Sequence, residues 1–392
     1  MRSEEYYLER GFKSAQEHYE KIGYEDTGYL SPELSSSDTY PDYIAEEVKR
    51  CVKEVQAHQN HDTVTFAFMT DIHFALSYNH NVRLERTLNA YKEIAKRAHI
   101  DKLILGGDYT NEGCNEYKSD CFRELRAKFS GIEYFPINGN HDDGSIWDKA
   151  YVKAEKSTNH LTHTELYRLF YNHIKALGAH TDKSESPLYY YIDDTAGKMR
   201  YICLDICDVP YVFDENGKLL YYPQWLFAMS QAQLDWLTHE ALNFTEEGWQ
   251  TVIFTHSALL PESTEVKEID KNVKILNEVI SAYKNKEKIC KEANEGDFKV
   301  KVDADFSKGI HADLVGLFVG DYHADRVERD KDGTPYILTA NAVMYHGGNS
   351  DAPLRIDGTK SEILFDIATI DKKERTIYVT RVGAGEDRVI KY

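Results

Sequence analysis

The run Ile132-Glu133-Tyr134-Phe135-Pro136-Ile137 leads through Asn138 into Gly139-Asn140-His141-Asp142 and then the polar Asp143-Gly144. β-Branched and aromatic residues that stop at Gly-Asn read as a buried strand ending in a turn. Such a turn sets an amide, an imidazole and a carboxylate side by side, and in open α/β sheets ligands bind at the carboxyl ends of strands. Alone, the tetrapeptide is ordinary turn chemistry and His141 a bystander. Four other strand ends in the chain carry the same residue types, and together they change its meaning.

Upstream, Val64-Thr65-Phe66-Ala67-Phe68-Met69-Thr70 ends at Asp71-Ile72-His73, and a strand over 102–105 ends at Gly106-Gly107-Asp108. Helical patterns over 82–98 and 118–129 separate these three strands. Strand–helix–strand order of this kind signals an α/β domain with parallel strands. Downstream, a strand at 200–204 precedes Thr251-Val252-Ile253-Phe254-Thr255, which ends at His256. Leu314-Val315-Gly316-Leu317-Phe318-Val319 then ends at Gly320-Asp321-Tyr322-His323. A helix is expected over 164–177, a hairpin element at 189–191, and C-terminal strands near 335–344, 362–369 and 375–382.

Residues 1–60 read as an N-terminal extension, partly helical, with Ile44, Val48, Cys51 and Val55 at helical spacing. Residues 61–392 read as one domain with insertions near 144–198, 208–228 and 258–310, the last of mixed helix and loop.

Lys and Arg number 47 against 66 Asp and Glu, a net charge of −19. Nucleic-acid binding usually needs a basic footprint, so no nucleic-acid partner is expected. No stretch reaches the length of a membrane span, and no membrane partner is expected. The six cysteines form no CxxC pair and read as reduced thiols, which points to a cytoplasmic protein.

Successive strand residues point to opposite faces, so Asp71 and His73 should share a side, as should Asp321 and His323. Singly, each piece has a bland reading: a chance triplet, a Gly-Gly-Asp turn, a core histidine at 256. Five in succession, each directly after an apolar strand, leave little room for a purely structural explanation.

The ordered set Asp71-Ile72-His73, Gly107-Asp108-Tyr109-Thr110, Gly139-Asn140-His141-Asp142, Thr255-His256 and Gly320-Asp321-Tyr322-His323 resembles the calcineurin-like metallophosphoesterases, over about residues 62–345. The resemblance implies a four-layer α/β/β/α metallophosphoesterase sandwich and two divalent metal ions at its strand ends. Position by position, it implies Asp71, His73 and His323 on the first metal, Asp108 bridging, and Asn140 and His256 on the second. His141 would lie outside that ligand set as general acid, oriented by Asp142. A two-metal site lowers the pKa of a bridging water and clamps the attacking and leaving oxygens. An imidazole facing the leaving oxygen typically adds about 10²–10⁴-fold.

Two positions depart from the family pattern. Asp321 stands where the family carries a second-metal histidine. As a ligand it would make that site richer in oxygen and favour Mn²⁺ or Fe²⁺ over Zn²⁺. The alternative is that it orders a water and leaves the second site weak. Asn111 stands where the related purple acid phosphatases carry an iron-binding tyrosine, which argues against that subgroup.

Loops leaving the strand ends should wall the site. In them Tyr211, Phe213, Tyr221, Tyr222 and Trp225 are candidates either to stack on an aromatic group or simply to pack. Asn341 and His346 are weaker candidates. Arg381 and Arg388 read as surface or ion-pair residues rather than phosphate ligands. The expected function is metal-dependent hydrolysis of a small phosphodiester or nucleotide-type substrate. The alternatives are a protein or sugar phosphomonoesterase, a nuclease of the repair type, and a catalytically impaired metal-binding scaffold.

Overall fold

Strand β1 (Thr63–Met69) is buried along nearly its whole length, and its two faces look into different layers. The computed structural model describes residues 39–74, 78–110, 118–145, 155–157, 160–257, 271–343 and 352–392. Helix α1 (Asp42–His58) precedes β1, and α2 (Tyr78–Arg97), β2 (Lys102–Leu105), α3 (Lys118–Lys128) and β3 (Phe135–Pro136) follow it. The middle of the chain supplies α4 (His163–Leu166), β4 (Tyr190–Asp194), β5 (Met199–Cys203), α5 (Gln231–Trp236), β6 (Gln250–Thr255) and α6 (Lys274–Asn285). Next come β7 (Lys288–Ala293), β8 (Val300–Asp305), β9 (Asp313–Val319), β10 (Arg326–Arg329) and β11 (Pro335–Leu338). The chain closes with β12 (Leu364–Asp371), β13 (Thr376–Gly383) and β14 (Arg388–Lys391).

The strands build two six-stranded mixed sheets, ordered β14-β13-β12-β1-β2-β3 and β10-β11-β9-β6-β5-β4. Phe66 and Phe68 of β1 meet Phe254 of β6 and Phe318 of β9 across the gap between sheets, at ring separations of 5.0–5.8 Å. Aromatic pairs at such separations add attraction beyond the area they bury. Helix α1 lays Ile44, Val48, Cys51 and Val55, all fully buried at helical spacing, into the same core. On the far side, Leu234 and Trp236 of α5 and Val279 and Ile280 of α6 cover Ile202, Ile253 and Leu317 of the second sheet. The result is the helix–sheet–sheet–helix layering that the family resemblance implies. Strands β1, β2 and β3 run parallel in one sheet and β5, β6, β9 and β11 in the other. Their carboxyl ends place the motif residues in one region.

Several elements differ from the sequence expectation. The helix read over 164–177 is broken into α4, a π-helical turn over Tyr167–Tyr171 and a 3₁₀ turn over Ile174–Leu177. A capping box between Thr162 and Glu165 starts it, and Gly178 at φ 89° ends it. In the insertion read as helix and loop, β7 and β8 form a hairpin. Val300, Val302 and Ala304 face inward and Lys301 and Asp303 outward, a period-two pattern obscured by the charged partner strand. Cys121 is disulfide-bonded, which corrects the reading of six reduced thiols, so cysteine usage does not support a reducing compartment. Cys51, Cys203 and Cys207 are free and buried. Among the described residues, no helix is long and apolar enough to cross a membrane.

Arg381 is fully buried, with its Nε 2.7 Å from Asp366 and its Nη1 2.7 Å from Asp325. Arg388 pairs with the same two carboxylates, at 2.5 Å and 3.1 Å. These arginines are an ion-pair network under the sheet. Removing one partner leaves buried charge uncompensated, so Arg381→Met is expected to cost about 3–5 kcal/mol of stability. A urea unfolding curve checks this, and a loss below about 1 kcal/mol, the worth of an exposed pair, would mean the network is solvated.

Candidate metal centre

Three of the five motifs leave their strands with the chain turned into an unusual conformation. Of the eight non-glycine residues with positive φ among the described residues, five are Asp71, His73, Asp108, Asp321 and His323, at φ 45–63°. Asp and His tolerate this left-handed region better than most residues, but each visit still costs of order 1–3 kcal/mol. Strand alternation therefore does not bring Asp71 to His73, as the sequence suggested. Strand β1 stops at Met69 and β9 at Val319, and the left-handed residues beyond them curl the side chains together. The backbone is held there by bonds to the adjacent loop, from Asp71 N–H to Gly107 O (3.0 Å) and from His73 N–H to Asp108 O (2.8 Å).

His73 Nε2 and His323 Nε2 lie 3.0 Å apart, and His323 Nε2 lies 3.2 Å from Asp71 Oδ1. Asp108 is at the middle of the cluster. One oxygen is 3.3 Å from His256 Nε2, and the other is 3.5 Å from His73 Nε2 and 3.8 Å from His141 Nε2. His256 Nδ1–H donates to Gly106 O at 2.7 Å, which leaves Nε2 free to offer its lone pair. Nε2 faces Asn140 Oδ1 at 2.9 Å. Two acceptors at that distance need a cation or a proton between them. The amide turned end for end would instead donate to His256 and to both Asp108 oxygens, at 2.9–3.3 Å. A Cβ on Gly139 would strike Asp108, and one on Gly320 would strike Thr70 and Asp71. Both motif glycines are there to let chain and carboxylate approach.

The charges respond to one another. Burial alone would raise Asp71, but His323 and His73 hold it well below the usual carboxylate range. Burial would lower His256, yet Asp108, then Asp71 and Asp321, push it well above the usual imidazole value. Burial pushes His141 down to about 4, against the pull of Asp108. So many anions and imidazoles in one buried place are balanced either by protons or by cations.

Asp321 donates its N–H to both Asp71 oxygens (3.1 and 3.2 Å), and its carboxylate reaches within 3.9 Å of His256 Nε2. It therefore sits on the His256 side of the cluster. Asp142 does not orient His141. Its carboxylate accepts N–H bonds from Gly139 (2.9 Å), Tyr109 (2.8 Å) and Thr110 (3.2 Å), and so ties the third motif's turn to the second. His141 Nε2 instead meets Gln224 Nε2 at 2.8 Å, and the Gln224 carbonyl lies 3.4 Å from Asn140 Nδ2. Gln224 is the residue that sequence reasoning missed. It stands among aromatic residues in the 208–228 insertion, with no local signal to mark it.

The other candidates are placed elsewhere. Tyr109 is buried and its hydroxyl bonds to the Leu105 and Ile137 carbonyls, away from the cluster. Tyr211 bonds to Leu161 O, Tyr221 to Asp297, and Tyr222 contacts Ser157. These three are engaged by their own neighbours, and Phe213 is 45% exposed. Asn341 is buried with its carbonyl bonded to Arg355. Asn111, His346 and the side chain of Trp225 lie outside the described residues.

The family model of calcineurin-like phosphoesterases matches residues 64–281, more than half of the chain. No curated protein matches the sequence at a significant level. A solved dimetal phosphatase from Danio rerio is similar over 84% of this chain and 99% of its own, at 13% identity and a TM-score of 0.51. At that identity the likeness is one of fold. A protein serine/threonine phosphatase from Saccharomyces cerevisiae aligns over 96% of this chain and 98% of its own at 12% identity, but its TM-score of 0.29 is too low to bear on the architecture.

Proposed function

Because the chain belongs to the calcineurin-like phosphoesterase family, we propose that it hydrolyses a small phosphodiester or nucleotide-type ester with two divalent metal ions. The observation that carries the reading is the position of Asp108, one carboxylate within 3.3–3.8 Å of three imidazoles on either side of it. Asp71, His73 and His323 would hold one ion, Asn140 and His256 the other, and Asp108 would serve both. The donor set fits, since Nε2 of His256 is free to offer its lone pair beside the Asn140 amide, and four of these ligand residues, Asp71, His73, Asp108 and His323, are held in left-handed conformations. Two such ions polarise phosphoryl oxygens and lower the pKa of a bound water.

The protein's own part is positioning and proton transfer. His141 would act on the leaving oxygen through Nε2. For that nitrogen to carry the proton, Gln224 must turn its unpartnered amide oxygen to it in place of the nitrogen that now lies 2.8 Å away. Asp142 fixes the turn that carries Asn140 and His141 through three backbone bonds. It acts on the site through the backbone. If Asp321 completes the second ion's ligands, three carboxylates favour Mn²⁺ or Fe²⁺. The net charge of −19 supports a small substrate over a long polyanion.

The test is hydrolysis of a generic aryl phosphodiester and the matching monoester with Mn²⁺ added, before and after chelation. Chelator-sensitive turnover with a higher kcat/KM for the diester is expected. A preference for the monoester would move the assignment to a phosphomonoesterase. Bound metal without turnover of either would favour the scaffold.

A further inference from the structure

A second group of ligand-type side chains lies at the end of β5, outside the set used above. His163, Asp205 and Asp208 each present one ligand atom, all within 4.8 Å of one another. Asp205 is 1% exposed, and among the described residues neither carboxylate has a Lys or Arg ion pair. His163 Nδ1 stands 3.9 Å from Asp208 Oδ1, too far for a hydrogen bond, and His163 Nε2 is buried with no partner. Asp208, 14% exposed, accepts from Ser230 N–H and Gln233 Nε2–H, and Asp205 from Cys207 N–H, but these bonds are neutral, and a buried carboxylate beside a second one is costly unless a proton or a cation joins them. Consistent with this, burial raises Asp205 to about 7, with His163 opposing and Asp208 adding to the rise.

A buried amide lies against the same place. Asn138 is 2% exposed, and its amide nitrogen donates to Asp205 Oδ1 at 3.2 Å while its carbonyl oxygen has no partner. The end that faces Asp205 is the nitrogen; turned end for end on binding a cation, the amide would present its oxygen there as a ligand. A cavity of about 330 Å³ lined by His163, Asp208, Tyr211 and Ser230 adjoins the group and gives an entry path. Lys299 also lines that cavity.

We propose that His163, Asp205 and Asp208, with the Asn138 carbonyl, form a further divalent-cation site separate from the phosphoesterase centre. One imidazole nitrogen with carboxylate and amide oxygens suits Mn²⁺ or Zn²⁺. Such an ion would join three segments: the insertion carrying His163, the end of β5, and the start of the loop that delivers Gln224 to His141. Its role is to hold that loop.

The experiment loads the full-length protein with Mn²⁺, and separately with Zn²⁺, removes free metal, and measures ions per chain by mass spectrometry. His163→Ala and Asp208→Asn are treated identically, with circular dichroism confirming the fold. The asparagine retains an acceptor for Ser230 N–H, and His163 is partly exposed, so one fold-neutral variant is expected. Each variant should retain one bound ion fewer than the wild type with at least one of the two metals. Equal metal content in wild type and folded variants, for both metals, would overturn the proposal. The readout is independent of hydrolysis: an inactive protein that loses one ion on His163→Ala would support this site even if the phosphoesterase reading failed.

Discussion

Asp108→Asn is expected to lower kcat/KM for phosphate ester hydrolysis by about 10³-fold or more, equivalent to roughly 4 kcal/mol of transition-state stabilisation. The substitution is nearly isosteric, and the amide oxygen can still accept the His141 N–H that Asp108 Oδ1 now takes at 2.9 Å. The change is therefore one of charge. Asp108 is buried, and burial would raise its pKa, but His256, then His141 and His73, hold it well below the usual carboxylate range. A carboxylate kept ionised among these three imidazoles is what would draw two cations together, and a neutral amide there would not. Retained metal should fall with activity. Activity within about tenfold of wild type, with metal content unchanged, would remove Asp108 from the bridging role.

His141→Ala should produce the second large loss, about 10²–10⁴-fold in kcat, the typical worth of a positioned proton donor. Metal content should be unchanged, since His141 Nε2 engages Gln224 and lies 3.8 Å from Asp108. The diagnostic is dependence on the leaving group. An alkoxide leaving group needs the proton and should show the full loss, whereas an aryl oxide with a low pKa should show much less. A loss of equal size across leaving groups would mean that His141 positions the ester. Its proton would then come from elsewhere.

Much of the molecule is legible in the linear chain. The apolar runs around Phe66, Leu103, Phe135, Val252 and Leu317 are strands in the structure, and the motif behind each lies at its carboxyl end. Helices α2 and α3 fall where helical spacing put them, to within a few residues. The four-layer arrangement is implied by the family resemblance, and it agrees with strands buried on both faces, which require cover on each side.

What the chain could not state locally falls into two kinds. Some elements lacked a pattern of their own. The strand Lys288–Ala293 exposes most of its side chains and exists because Val300–Asp305 pairs with it. The helix at 163–177 contains breaks that no single residue announces. The other kind is the choice of partner within the site. The family resemblance implies that Asp142 orients His141, but three backbone N–H groups from two turns converge on that carboxylate and satisfy it first. The group that does reach His141 comes from Gln224, far along the chain in an insertion.

The sequence by itself determined where most strands lie and, through the ordered motifs behind them, the family, because apolar periodicity and turn chemistry are local properties. Only the tertiary structure decided the left-handed turns that converge Asp71, His73, Asp108, Asp321 and His323, the structural task of Asp142, and the contact from Gln224. Hydrogen-bond partners are settled by which groups meet in space after the two sheets have packed.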